Sequence, residues 1–261
     1  MTISERVLID AIQSTLFLLP AVPGLAQDLG VPGIRGRVTK LDSALANLCG
    51  DARLGDREVD AVIARVRERY GSLRFGWVTG PSTRPLDLQS RLAAAGLKRA
   101  GSLSGMARTD LATPIAASAS VRIREVSPQE AVAASDMMGR AYGIPSDVAR
   151  FFNEMLAAST GIKTRSYFAY LDGEAPVAWS YLVYIPDSPL VLLGGAATLA
   201  EQRGHGMYTA LVARRLADAR ADGRTAAIIQ ADRDTSAPIC AKLGFRELCS
   251  LGFYAWAPPE S

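Results

Sequence analysis

Residues 203–208 read Arg-Gly-His-Gly-Met-Tyr and run on through Thr209-Ala-Leu into a stretch of helix formers. Just ahead lies an apolar run of strand character, Leu190-Val-Leu-Leu-Gly-Gly-Ala-Ala-Thr198. A strand, two glycines one residue apart and then a helix make an anion cradle. The glycines let successive backbone amides converge, and the helix start adds unpaired N–H groups and the positive end of its dipole. A phosphate is the natural occupant, and the chain must be layered so that a strand feeds a helix here. His205 is the only histidine in 261 residues, and it sits between the two glycines. A base must reach the reacting group, so His205 is read as exposed or phosphate-adjacent and not as a base.

The rest of the composition removes other classes. A chain of 261 residues, 49% hydrophobic and 21% charged, is an ordinary globular protein of one large or two modest domains. A net charge of +3 without a dense Lys/Arg run does not suggest nucleic acid as a partner. Cys49, Cys240 and Cys249 form no C-x-x-C pair, and one histidine is too few for the common zinc frameworks, so no metal is expected. Reduced thiols fit a cytoplasmic protein. Thr15-Leu-Phe-Leu-Leu-Pro20 is apolar but short, broken by proline and preceded by Glu5 and Asp10. It has neither the basic lead of a signal peptide nor the length of a membrane span.

The small-residue stretch Leu111-Ala-Thr-Pro-Ile-Ala-Ala-Ser-Ala-Ser120 is read as a linker, dividing the chain into 1–112, a connection at 113–120, and 121–261. In the first part, Val59, Val62, Ile63 and Val66 have helical spacing, Phe75–Val78 is a strand, and a second helix runs from Asp87 to Ala95. The first thirty-five residues carry no clear pattern. In the second part Val121–Val126 alternates as a strand, and Ser127-Pro-Gln-Glu130 has the cap, proline and glutamate of a helix start. Another helix follows from Ser146. Strands at 166–171 and 175–185 meet across Asp172-Gly173, and Gly194-Gly195 in the next strand suggests a bulge. Beyond Gly206, Tyr208, Leu211, Val212, Leu216 and Ala219 line one helix face. A buried strand at 225–231, a short helix at 234–243 and a closing strand at 245–256 complete the pattern.

The loop Arg203-Gly-His-Gly-Met-Tyr208, the buried strand after it and Leu243-Gly-Phe245 resemble the GNAT superfamily of acyl-CoA N-acyltransferases, over residues 121–256. The family loop reads Gln/Arg-x-x-Gly-x-Gly/Ala; Arg203 and Gly206 match it, and Tyr208 stands where a small residue is usual. The stretch Gly76-Trp-Val-Thr-Gly-Pro-Ser-Thr-Arg-Pro-Leu-Asp-Leu88 resembles the degenerate first domain of tandem members. The resemblance implies an α/β (α+β) fold: a mixed, mostly antiparallel twisted sheet flanked by helices, with a smaller degenerate GNAT-like domain. That first domain lacks the loop and would shape the acceptor cleft. The implied activity is direct transfer of an acyl group, typically acetyl, from a CoA thioester to an amine of a small molecule or peptide. A carrier protein bearing phosphopantetheine would serve as donor equally well. A non-catalytic acyl-CoA-binding regulator is the competing class.

By the same resemblance, Arg203, Gly204, His205, Gly206, Met207 and Tyr208 would take the coenzyme pyrophosphate, and Thr198 and Leu199 would pair with pantetheine. A main-chain N–H near Ala197 to Leu199 would serve the oxyanion. Family members commonly carry a tyrosine, as acid to the thiolate, where this chain has Cys240, and an asparagine where it has Asp234. Cys240 is therefore read mainly as a packing residue. The strand 190–198 holds no carboxylate, and Asp136, Asp147 and Glu154 read as solvated helix charges, which leaves the base unnamed. Acceptor, acyl group and oligomeric state have no signature in the sequence.

Overall fold

The computed structural model describes residues 3–258. In chain order the elements begin with α1 (Glu5–Ser14), β1 (Gln27–Asp28), β2 (Arg35–Val38), β3 (Leu48–Gly50), α2 (Val59–Tyr70), β4 (Phe75–Thr79), α3 (Leu88–Ala94) and β5 (Lys98–Arg108). There follow β6 (Val121–Val126), α4 (Pro128–Ala133), α5 (Ser135–Tyr142), α6 (Ser146–Ala158), β7 (Thr164–Leu171), β8 (Ala178–Tyr184) and β9 (Leu190–Thr198). Last come α7 (Met207–Ala221), β10 (Ala226–Asp232), α8 (Ser236–Lys242) and β11 (Arg246–Trp256). No described helix is long and apolar enough to cross a membrane.

Two compact units divide the chain, one of Ser4–Gly105 with the chain from Leu248 onward, the other chiefly Met106–Glu247. The division falls inside β5 and inside β11, not in the small-residue stretch read as a linker at 113–120. That stretch is irregular but tied down. The Arg108 guanidinium donates to the carbonyls of Asp110, Thr113 and Leu243 at 2.6, 2.5 and 2.8 Å. Leu111 is buried in the second unit's core, with Ile115 packed against it. Small side chains here mark close packing and not a free tether.

In the first unit β2 pairs antiparallel with β1 and β3, β3 parallel with β4, and β4 antiparallel with the far end of β11. Val62, Ile63, Val66 and Tyr70 of α2 are buried against Phe75 and Trp77 of β4 and Leu88 and Leu92 of α3. The helical spacing read from the sequence is therefore a core face.

In the second unit β6, β7, β8 and β9 pair antiparallel in order, and β9 pairs parallel with β10. The sheet is mixed and mostly antiparallel. Its helices lie in two layers. α7 packs with β7, β8 and β9, burying Met207, Leu211, Val212, Leu216 and Ala219 in one core. The helices α4 to α6 cover Val126, Phe168, Tyr170 and Trp179 in another. α4 opens with the expected capping box: Ser127 Oγ accepts from the Glu130 N–H at 3.2 Å, and the Ser127 N–H donates to Glu130 Oε2 at 2.9 Å. The helix read from Ser127, with Asp136 as a solvated charge on a helix here, is broken at Ala134 into α4 and α5. A Cβ at Gly139 would lie 2.9 Å from the Ile144 carbonyl, so the missing side chain admits the turn into α6. At the far end of α7, Asp222 accepts from Lys163 Nζ at 2.9 Å, from Arg165 at 2.8 Å and from the Tyr184 hydroxyl. These contacts fix the helix axis and with it the helix start.

Candidate active site

β9 and β10 run parallel, and their pairing is short. Leu190, Val191 and Leu192 face Ala226, Ala227 and Ile228, after which both strands continue unpaired with each other, to Thr198 and to Asp232. A wedge opens between them. β9 also breaks step with β8: the register shifts at Ser180/Tyr181, opposite Gly194 and Ala196, and leaves Gly195 over as a bulge with φ +33°. The bulge foreseen from Gly194-Gly195 is thus present, and its extra residue bends β9 at the wedge.

Ladder alternation decides which main-chain groups face the opening. The Leu199 N–H donates to the Val177 carbonyl at 2.9 Å, so Leu199 is turned toward β8 and Thr198 the other way. Ala196 shares the orientation of Thr198, and Ala197 that of Leu199. The Thr198 carbonyl accepts from Arg203 Nε at 3.3 Å. The groups left for a ligand strand are the Thr198 N–H and both main-chain groups of Ala196. Pairing through Leu199, expected from the resemblance, does not fit this geometry, because its donor is already taken.

The loop then turns into α7. Gly204 and Gly206 adopt φ +85° and +83°, and Gly206 is the N-cap residue. No side chain caps the helix, so the N–H groups of its first turn have no partner within it. A Cβ at Gly204 would meet nothing within 4 Å, and one at Gly206 only Ser118 Cβ at 3.7 Å. Backbone conformation, not crowding, makes both positions glycine. The side chains of Arg203 and His205 are exposed, and Met207 is buried beneath the turn. His205 thus stands outside the wedge. His205→Ala should change turnover less than about threefold; a loss above about a hundredfold in steady-state assays would return it to the role of base.

Two residues singled out in the sequence meet here. The Tyr208 hydroxyl lies 3.2 Å from Cys240 Sγ, so the first turn of α7 brings a phenol to the thiol on α8. Burial pushes the Tyr208 hydroxyl well above its ordinary range, and the Cys240 partner pushes it further. Burial also raises the Cys240 thiol, against smaller lowering effects from its bond to Tyr208 and from the charge of Arg215. Both stay protonated near neutrality.

Arg215 was not anticipated. It is fully buried on α7, on the same face as Tyr208 and Leu211. Its Nη1 donates to the carbonyls of Tyr181 at 3.1 Å and Gly194 at 3.2 Å, and its Nε to the Leu211 carbonyl at 3.1 Å. The guanidinium thus supplies donors to two carbonyls at the bulge, where the ladder is broken. Nη2 has no partner. An arginine inside the apolar stripe of α7 was the signal that could have found it.

Asp234, in the place of the family asparagine, is exposed in the loop after β10. The turn leading into α8 is held instead by Asp232, whose Oδ1 accepts from the Thr235 hydroxyl at 2.7 Å and from the N–H groups of Thr235 and Asp234 at 2.9 and 3.1 Å. The bond from the Thr235 hydroxyl holds the Asp232 carboxyl below the usual range against the effect of its burial. It remains a carboxylate at the end of β10, at the mouth of the wedge. Asp136, Asp147 and Glu154 lie on α5 and α6. Among the described residues no three His, Cys, Asp or Glu side chains gather closely enough to hold a metal ion.

A bulged strand, a parallel neighbour that parts from it and an uncapped glycine-led helix define a protein of the GNAT fold. Solved structures bear this out over the whole chain. A GCN5-related N-acetyltransferase from Kribbella flavida is 18% identical, with 100% of this chain and 97% of that chain covered and a TM-score of 0.68. One from Sphaerobacter thermophilus is 15% identical, covering 92% and 84%, with a TM-score of 0.65. A tandem GNAT protein from the clavulanic acid biosynthesis pathway is 15% identical, covering 97% and 96%, with a TM-score of 0.61. Neither a protein-family model nor a curated protein sequence matches the chain.

Proposed function

We propose that the protein is an N-acyltransferase that moves an acyl group, acetyl in the simplest case, from a CoA thioester to the amine of a small molecule. The observation that carries this reading is the wedge between β9 and β10 leading into the uncapped start of α7. An anionic, strand-like, thioester-bearing ligand has the right shape and charge for it. Its phosphates meet the first-turn amides of α7, with Arg203 beside them. Its pantetheine arm pairs with Ala196 and Thr198, which places the thioester toward the bulge.

The amine lone pair attacks the thioester carbon, the C–N bond forms, and the C–S bond breaks as the carbonyl reforms. An open main-chain N–H of Ala196 or Thr198 stabilises the oxyanion without any particular side chain. The departing thiolate takes a proton, and the Tyr208 phenol is the donor. Cys240 holds that phenol in place, and the buried charge of Arg215 favours an anion on either group. An alkyl amine, with a pKa of about 10.4, arrives largely protonated and gives its protons to water. Asp232, held ionised, is a counter-charge for the ammonium and not its base.

The test pairs calorimetric titration of acetyl-CoA with an amine-dependent assay of thiol release. Saturable binding with release that requires an amine supports transfer. Binding without release would favour a regulatory acyl-CoA-binding protein. Turnover only with a phosphopantetheine thioester on a carrier protein would reassign the donor.

A further inference from the structure

The proposed transfer leaves the acceptor undefined, and the face of the sheet opposite α7 bears on it. The α7 side of β8 and β9 is closed core, with Leu182, Val191 and Leu193 buried at 0, 0 and 1% exposure. A donor lying with its phosphates on α7 therefore leaves the α5 side of the bulge for the amine. That side is aromatic. Trp179 and Tyr181, two residues apart on β8, lie with ring centroids 5.6 Å apart. Tyr142, at the last turn of α5, meets Trp179 edge-on at 6.5 Å.

The bulge is built around these rings. A Cβ at Gly194 would fall 1.9 Å from the Tyr181 ring, and one at Gly195 would fall 2.7 Å from both Trp179 and Tyr181. Neither position can carry a side chain while the rings lie against the β9 main chain. The aromatic faces therefore reach the residue that bends the strand, where the thioester is expected. Tyr142 remains 49% exposed, unlike the buried Met138 and Ala141 of the same helix. Its hydroxyl is nevertheless pushed up, first by burial among its neighbours and then by the charge of Asp232, which places a carboxylate within electrostatic reach of the wall. Glu201 is already paired with Arg140 at 3.1 Å.

We propose that Tyr142 and the half-buried Tyr181, backed by Trp179 in the core beneath them, form the acceptor subsite, and that the acceptor is a primary monoamine on a flat or branched apolar body, of the arylalkylamine class. Aromatic faces attract an ammonium through their quadrupole and an apolar body through the area they cover. A polycationic amine would need a cluster of carboxylates to match its charges, and this wall offers aromatic carbon with Asp232 as its counter-charge.

The inference rests on the acyl-transfer reading, and its test is arranged so that the two fail separately. Phenethylamine and spermidine are compared as acceptors with acetyl-CoA, and their direct binding is followed by tryptophan fluorescence with and without CoA. Phenethylamine should give kcat/KM at least about tenfold above spermidine, the value of one good aromatic contact. Tyr142→Ala, a change at an exposed position, should raise the phenethylamine KM by about tenfold with acetyl-CoA affinity unchanged. Trp179→Phe should abolish the fluorescence response while the fold is kept. Spermidine as the better substrate, or an unaltered KM in Tyr142→Ala, would overturn the subsite. Phenethylamine binding in a protein that never releases thiol would uphold the subsite and sink the transfer. Acetyl-CoA binding with no binding or use of phenethylamine would sink the subsite alone.

Discussion

Gly206→Val should lower the affinity for acetyl-CoA by at least about a hundredfold while the protein stays folded, through strain at the cradle. The φ of +83° at Gly206 is open to glycine and unfavourable for a β-branched residue, at about 1–3 kcal/mol of local strain. The turn must rotate to relieve that strain, and rotation turns the first-turn amides of α7 away from their common focus. A valine side chain that stays would stand beside the same amides. The helix itself survives, because Met207, Leu211, Val212, Leu216 and Ala219 hold its face in the core and Asp222 is held at its far end. Ser118 Cβ, 3.7 Å from the added Cβ position, leaves room for a methyl group, so Gly206→Ala should fall between wild type and valine. Calorimetric titration together with a melting curve checks both halves. A folded Gly206→Val protein that binds acetyl-CoA normally would remove the phosphate from this loop.

Tyr208→Phe has the second large expected effect. It keeps the ring and its packing and removes the one proton that the phenol can donate. General acid assistance is worth about 10²–10⁴ in rate, so kcat should drop by about a hundredfold at unchanged acetyl-CoA affinity. Cys240→Ala should cost less than about tenfold, since the thiol positions the phenol and the phenol acts. The leaving group separates an acid from a packing residue. A thioester of an acidic thiol needs little protonation as it leaves, and with such a donor the Tyr208→Phe defect should shrink. A defect of the same size for both thioesters would assign the loss to misplacement. A loss of a hundredfold or more in Cys240→Ala, with melting temperature preserved, would make the cysteine the acid.

The second unit was largely legible because its signals are local. The 121–126 strand, the Ser127 capping box and the Gly194-Gly195 bulge each sit within a few residues of the structure they cause, whereas the hairpin expected across Asp172-Gly173 closes through a longer loop, its last pair being Ala169 with Ala178. Short strands built of glycine and charge hide better. Arg35-Gly-Arg-Val38 has no apolar alternation, and it becomes a strand only through its partners β1 and β3. The break between α4 and α5 at Ala134 was hidden because no glycine or proline marks it, and the small residues at 111–120 concealed a segment tied down by Arg108. The closing strand read correctly as a strand, but its pairing of Gly252–Trp256 with Thr79–Phe75 joins opposite ends of the sequence and leaves no local trace.

The site followed the same rule. The glycine turn before α7 could be read because φ and residue type are tied at one position. The contact of Tyr208 with Cys240 could not, although both residues had been noted as departures, because it depends on how α7 and α8 face each other. Arg215 and the Tyr142–Trp179–Tyr181 wall depend on the bulge in three dimensions, where a gap in one ladder becomes a place for a guanidinium on one side and for rings on the other.

The central claim is that a thioester ligand fills the opening between β9 and β10 with its phosphates on the start of α7. Amide hydrogen exchange of the full chain with and without saturating acetyl-CoA tests it most directly. The account predicts new protection concentrated at residues 196–209, with the largest effect at the first-turn amides of α7 and at Thr198. Saturating acetyl-CoA that leaves 196–209 unprotected, or protects a different part of the chain, would contradict it.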